Sequence, residues 1–269
     1  MHARATFAAA TGKFSVPRLS WRFAAVWRRM FLVWQKLAVP SMLGNLADPM
    51  IYMLGFGYGL GKLLPEVGGV RYIVFLAAGT VCFSTMNSAT FEALYSSFSR
   101  MHVQRSWDAM LNAPLALEDV VLGECAWSAS KSFLSGLAIL LVAAALGLLD
   151  SWLALWVLPL IPVIGFTFSA LGLVVTAVSP SFDFFMYYFT LFITPMAMLS
   201  GVFFPIDQLP AAIQTLSYVL PLTHATLLVR PLVLGEIPAN IALHLAVLIA
   251  YGAVAFYAAL VLFRRRLLS

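Results

Sequence analysis

Residues 201–235 read GVFFPIDQLPAAIQTLSYVLPLTHATLLVRPLVLG, and this stretch decides the fold. It is too apolar for an ordinary loop and too interrupted for a membrane span. Pro205, Pro210, Pro221 and Pro231 each remove a backbone donor and end or kink a helix. The pieces between them are short and amphipathic, too short to cross roughly 30 Å of hydrocarbon. Such a segment reaches membrane depth only where protein covers its freed backbone groups, or else it lies at the interface. The reading is a pair of re-entrant or interfacial half-helices that carry Asp207, His224 and Arg230. Broken helices of this kind belong to transport proteins more than to simple anchors.

Around this segment the chain reads as an all-α polytopic membrane protein. Of its 269 residues 62% are hydrophobic and 10% charged, and a mean hydropathy of +0.94 is far outside the range of a soluble domain. Six stretches have roughly the 20 residues that a spanning helix needs. They are 42–61, 73–94, 121–149, 152–178, 184–204 and 241–263, so the proline-rich segment falls between spans five and six. Residues 1–41 form an N-terminal region and 264–269 a short tail, all within one transmembrane domain of 1–269. Cys82 and Cys125 fall inside or at the edge of apolar stretches, so they carry no information on redox compartment.

Orientation follows from the basic residues. With both termini cytoplasmic, the inside segments hold Arg4, Lys13, Arg18, Arg22, Arg28, Arg29 and Lys36, then Arg100 and Arg105, then Arg264, Arg265 and Arg266. The outside segments hold only Lys62, Arg71 and Arg230. This positive-inside bias accounts for most of the net charge of +5, which therefore reports topology and not nucleic-acid binding. No cleavable signal peptide is expected, because the apolar core at 7–11 is short and more basic residues follow it. Next, Phe23, Trp27, Met30, Phe31 and Trp34 share one helical face, with Arg22, Arg29 and Lys36 on another. A Trp-rich helix flanked by arginines is expected to lie flat in the cytoplasmic interface.

Several chemistries are excluded. No G-x-x-x-x-G-K-[ST] loop is present, so this chain does not bind ATP through a P-loop. His2, His102, His224 and His244 are scattered and no paired cysteine cluster occurs, so no metal site is expected. Ser128-Ala-Ser-Lys131 matches S-x-x-K by chance, without the other elements of that active site. No catalytic residue is assigned.

Charge inside an apolar span is costly and is a functional hypothesis by default. Glu92 lies near the cytoplasmic end of the second span, Glu124 near the start of the third and Lys131 seven residues deeper, about 10 Å at the helical rise. The two spans are antiparallel neighbours, so Glu92 and Lys131 can meet, either locking two helices or lining a polar path. Asn45 and Asp48 open the first span in GNLADPMIYMLGFGYGLG, where Asp48-Pro49 disturbs the helix. The spacing of Gly55, Gly57, Gly59 and Gly61 in the same stretch permits close helix contact, within one subunit or between two. Between spans two and three, Ser106 can cap a short helix that Asn112-Ala113-Pro114 stops. Trp107, Met110 and Leu111 would then be exposed apolar residues beside Asp108, the mark of a protein contact, unless the helix packs back on the membrane domain. Glu118 and Asp119 favour the start of the next helix.

These segments together resemble the permeases of ABC type-2 exporters, particularly the nodulation protein J type associated with lipo-chitooligosaccharide export. The resemblance covers nearly the whole chain and rests on AVWRR at 25–29 with GNLADPMIY at 44–52, FLAAG at 75–79 followed by ATFEALY at 89–95, and SWDAMLNAPL at 106–115 with GE at 123–124. It rests also on GVFFPIDQLP at 201–210, LPLTHATLLVRPLVLG at 220–235 and the ending FRRRLL at 263–268. The resemblance implies a homodimer of six-span subunits in a bacterial inner membrane, bound to two copies of a separate ATPase that holds ATP and magnesium. Ser106, Trp107, Asp108, Met110 and Leu111 would form the coupling helix to that ATPase, and the half-helices would shape the extracytoplasmic exit. The cargo would be an amphiphilic glycolipid; related permeases export polysaccharides, other glycolipids and drugs. One rival is an ion-coupled secondary transporter, disfavoured by the lack of an inverted repeat or central acidic cluster. Another is an intramembrane enzyme, for which Asp183 and His224 are the only candidates.

Overall fold

A computed structural model describes residues 17, 19–149 and 151–267, apart from the side chains of residues 42, 45, 46 and 48. The polar side chains of Asn45 and Asp48 therefore lie outside the described residues, as do Arg4, Lys13, Arg18 and the apolar stretch at 7–11. The chain is mostly helical. We number the helices α1 (Phe23–Trp34), α2 (Ala38–Gly59), α3 (Tyr72–Val103), α4 (Ser106–Asn112), α5 (Leu117–Ala145), α6 (Trp152–Val178), α7 (Asp183–Leu199), α8 (Ala211–Ser217), α9 (Pro221–Leu234) and α10 (Ile241–Leu267). A hairpin, β1 (Glu66–Val67) and β2 (Val70–Arg71), joins α2 to α3 through Gly68 and Gly69, whose φ of 61° and 80° a two-residue turn requires.

Among the described residues four helices are long and apolar enough to cross a membrane: α3, α5, α6 and α10. The bent pair α8 and α9 brings the number of candidate spans to five if it is counted as one. The remaining two stretches read as spans differ in kind. α2 has 22 residues, but Asn45, Asp48, Pro49 and the glycines dilute its hydropathy. α7 is shorter than the stretch 184–204 suggests, because it ends at Leu199 and the chain turns at Gly201 with φ of 73°. α3 and α5 run to 32 and 29 residues, about 48 and 43 Å, and so extend well past the hydrocarbon.

α3 lies at the centre, packed on α2, α5, α6 and α9, while α10 covers α6 and α9. Two apolar cores result. One gathers the first half of α3 with α6 and α9; the other gathers the far end of α3 with α1, α4, α5 and α10. Glycine permits the closest approaches. A Cβ on Gly79 of α3 would collide with the carbonyl oxygen of Val202, and one on Gly123 of α5 would lie 2.6 Å from Val26 on α1. Part of the aromatic stripe of α1 packs on protein, while Phe31 stays exposed. Trp27 and Trp34 pack edge-on against Trp127 of α5, at 6.5 and 5.8 Å between ring centroids.

Between α8 and α9 the chain bends by 87°. Pro210 precedes α8 and Pro221 stands in the first turn of α9, where a missing N–H costs nothing. α9 has 14 residues, about 21 Å, and is mostly buried.

Candidate functional site

The last three turns of α3 are not regular. Glu92–Ser96 and Ser99–Val103 are π-helical, a widening often found at functional positions. Eight residues on an ideal α-helix leave two side chains about 80° apart around the axis. In α3, however, Arg100 Nη1 donates to Glu92 Oε1 at 2.9 Å. The same guanidinium grips Glu124 of α5, from Nε to Oε1 at 3.0 Å and from Nη2 to Oε2 at 2.5 Å. This fork-on-carboxylate geometry is the strong form of an ion pair. Lys131, two turns further along α5, donates to Glu92 Oε2 at 2.7 Å.

Neutral donors complete the network. Trp127 Nε1 reaches Glu92 Oε1 at 3.0 Å, and Trp107 Nε1 of α4 reaches Glu124 Oε1 at 2.9 Å. Ser96 donates to Glu92 at 2.9 Å and Ser97 to Glu124 at 2.6 Å. Two cations therefore face two carboxylates whose oxygens are all occupied. Glu92 is 2% exposed and Glu124 fully buried, so the arrangement persists only because each charge is paired.

α4 hangs from this network. Ser106 Oγ donates to the Arg100 carbonyl at 3.1 Å, and the Trp107 ring lies 4.9 Å from Phe263 of α10. The expectation of outward-facing Trp107 and Met110 is corrected here, since both are buried. An indole gains more from apolar rings around its body and a carboxylate on its N–H than from exposure. Asp108 and Leu111 are half-buried, and Ala109 and Asn112 form the exposed side. Arg105, with φ of 49°, makes the left-handed turn into α4. Nearby, Arg264 of α10 pairs with Glu118 at 2.5 Å, and Ser20 donates to Asp119 at 2.6 Å. Asp119 in turn accepts the Ala116 N–H at 3.0 Å and closes the start of α5.

The residues of the proline-rich segment lie elsewhere. Asp207 is exposed, Pro205 half-buried and Pro210 exposed. His224 Nε2 faces the Tyr218 carbonyl at 3.0 Å and its Nδ1 faces His244 Nδ1 at 2.8 Å. A carbonyl only accepts, so His224 donates through Nε2 and takes the His244 Nδ1 proton as acceptor. Arg230 lies 3.7 Å above the Phe75 ring and donates to the Gly201 carbonyl, leaving its buried Nε without a partner. Phe75 is 17 residues from Glu92 along α3, about 25 Å. Asp183 is exposed at the start of α7, and both nitrogens of His224 are already engaged, which leaves little for a hydrolytic pair.

Sequence reasoning missed Arg100, Trp127 and the His224–His244 contact. One signal was readable: Glu124, Trp127 and Lys131 are spaced i, i+3, i+7 and so share a helix face. The π-turns that swing Arg100 inward left no such periodic mark.

The family model for ABC-2 type transporters matches residues 22–234 of the chain. Nodulation protein J of Rhizobium leguminosarum bv. viciae is 50% identical over 258 residues, which is 96% of this chain and 99% of that protein. Nodulation protein J of Rhizobium meliloti (strain 1021) is 46% identical over 254 residues, 94% of this chain and 97% of its own length. A more distant relative, inner membrane transport permease YadH of Escherichia coli (strain K12), is 25% identical over 198 residues, 73% of this chain and 75% of its own.

Proposed function

The chain belongs to the ABC-2 type transporter family, and on that premise we propose that it is the membrane subunit of an ATP-driven exporter of an amphiphilic lipid-linked oligosaccharide. It is a multi-pass transport permease. Two copies of it pair with two copies of a P-loop ATPase that binds ATP and magnesium, and both termini face the cytoplasm. With α2 and α7 also inserted there are six spans, and α8 with α9 forms the re-entrant pair at the extracytoplasmic exit. A lipo-chitooligosaccharide is the cargo class that the near-full-length similarity to nodulation protein J supports.

The observation that carries the coupling is the attachment of α4. Its inner side is tied through Trp107 to Glu124 and Arg100, and so to both α3 and α5, while Ala109 and Asn112 remain open to a partner. A push on that open side moves two spans together, which is what an ATPase subunit needs in order to act on a permease. Asp108 and Leu111 flank the contact.

The test is reconstitution. Purified chain alone hydrolyses no ATP; with its cognate ATPase it does, and inside-out vesicles take up lipo-chitooligosaccharide only with ATP. Hydrolysis by the chain alone, or uptake driven by a proton or sodium gradient without ATP, overturns the proposal.

A further inference from the structure

A groove of about 480 Å³ opens between α1 and the middle of α5, with Pro162 of α6 also lining it. Trp27, Phe31 and Trp34 of α1 line it together with Trp127 and Phe133 of α5. Every indole N–H along it is already engaged: Trp27 with Ser130 at 2.9 Å, Trp34 with Ser41 at 3.1 Å and Trp127 with Glu92. The walls therefore offer ring faces and no free indole donor, which suits a hydrocarbon chain and not a sugar. Lys131 also lines the groove, and its ammonium is already held by Glu92. α1 also exposes Arg28 and Arg29 and contains no acidic residue. Arg28 directly follows Trp27, one turn from Phe31. An apolar slot beside a helix whose exposed arginine has no carboxylate at ion-pair distance among the described residues is complementary to a lipid whose chain is apolar and whose head is anionic.

We propose that this groove holds one acyl chain of an anionic phospholipid from the leaflet that meets α1, with its headgroup phosphate on Arg28. The bound chain excludes water from the Lys131–Glu92 pair and so strengthens it, because attraction between charges rises as the local dielectric falls. Lys131 and Trp127 line the groove and also hold Glu92, and Glu92 is joined through Arg100 and Glu124 to Trp107 of α4. Lipid occupancy is thereby linked to the rigidity of α4. The inference is independent of the cargo.

The probe is phosphatidylglycerol carrying a diazirine midway along one acyl chain, incorporated in phosphatidylcholine vesicles with the full-length chain. Photolabelling mapped by mass spectrometry is expected at Trp34 and Phe133 well above that at Val254, an exposed residue of α10. The same diazirine on phosphatidylcholine is expected to label the groove about five-fold less, the effect of one cation near an anionic headgroup. Arg28→Gln, at an exposed position, retains the fold and removes that preference. Groove labelling no higher than at Val254 overturns the site. Equal labelling by both probes, or a preference that survives Arg28→Gln, overturns the assignment of the phosphate to Arg28 and leaves the groove open to any acyl chain, the cargo's included.

Discussion

The two ends of α3 handle positive charge in opposite ways. Near Phe75 a single guanidinium, Arg230, has a ring face, one backbone carbonyl and no carboxylate at ion-pair distance among the described residues. Near Glu92, Arg100 and Lys131 meet Glu92 and Glu124, and every carboxylate oxygen has a partner. The first arrangement leaves a cation with weak, neutral company. The second is closed, so each member depends on the others. Closure transmits force: pulling on Trp107 displaces a carboxylate that two helices share, whereas pulling on Arg230 stretches one hydrogen bond.

The largest effect is therefore expected from Glu124→Gln. The amide leaves Arg100 and Lys131 to share Glu92, one buried positive charge in excess, and removing one partner of a buried pair costs about 3–5 kcal/mol. Thermal denaturation of the purified chain and its yield in membranes both register this. A loss below about 1 kcal/mol breaks the comparison, because the network would then be no better closed than the Arg230 end.

Trp107→Phe comes next. The phenyl ring keeps its packing on Phe263, but the hydrogen bond to the Glu124 carboxylate is lost, and bonds to charged groups contribute about 1.5–3 kcal/mol. Because α4 has only seven residues, the loss should appear locally. Hydrogen exchange at residues 106–112 accelerates while the amides of α5 stay protected, and ATP-driven uptake falls with insertion intact. Faster exchange throughout α5 would mean that Trp107 supports the bundle and does not simply tether α4.

A double-mutant cycle sharpens the comparison further. Lys131→Met leaves the network one negative charge in excess and Glu92→Gln leaves it one positive; together they leave the balanced pair Arg100–Glu124. The double variant is thus less destabilised than the sum of the singles, by an interaction energy on the order of 1 kcal/mol. Additive losses in denaturation midpoint would show that Lys131 and Glu92 touch without depending on each other. If the double variant folds and still exports, the pair is structural; if it folds and exports poorly, the pair lies on the cargo's path.

How much of this was legible in the sequence depends on periodicity. The long apolar helices and the meeting of Glu92 with Lys131 follow from rules with a fixed repeat, and the helix starts after Pro210 and at Pro221 follow from the donor that proline lacks. Arg100 does not, because it was counted as a topogenic charge and only the π-turns bring it inward. Trp107 was expected outside since a short polar loop offers no reason to bury it; the reason is Glu124, seventeen residues on and on another helix. The apolar stripe on α1 is visible in the sequence, but nothing local in the sequence marks α5 as its neighbour or Gly123 as the seat for Val26.

The smallest effect is expected at the other end of α3, from Arg230→Met. The substitution removes a cation–π contact of about 0.5–2 kcal/mol and one charge-assisted bond to the Gly201 carbonyl. It also removes the cost of desolvating a guanidinium whose Nε has no partner, about 1–3 kcal/mol or more for a buried polar group. The terms oppose each other, and methionine fills much of the same volume against Phe75. Net stability should therefore change by about 1 kcal/mol or less, seen as a shift of a few degrees in melting temperature. Arg100→Met, carried out in parallel, should instead cost several-fold more, because it leaves the fully buried Glu124 without a cation and Glu92 with Lys131 alone. If Arg230→Met proves as damaging as Arg100→Met, the lone guanidinium has a carboxylate or another anion that the described residues do not supply, and the contrast between the two ends of α3 fails.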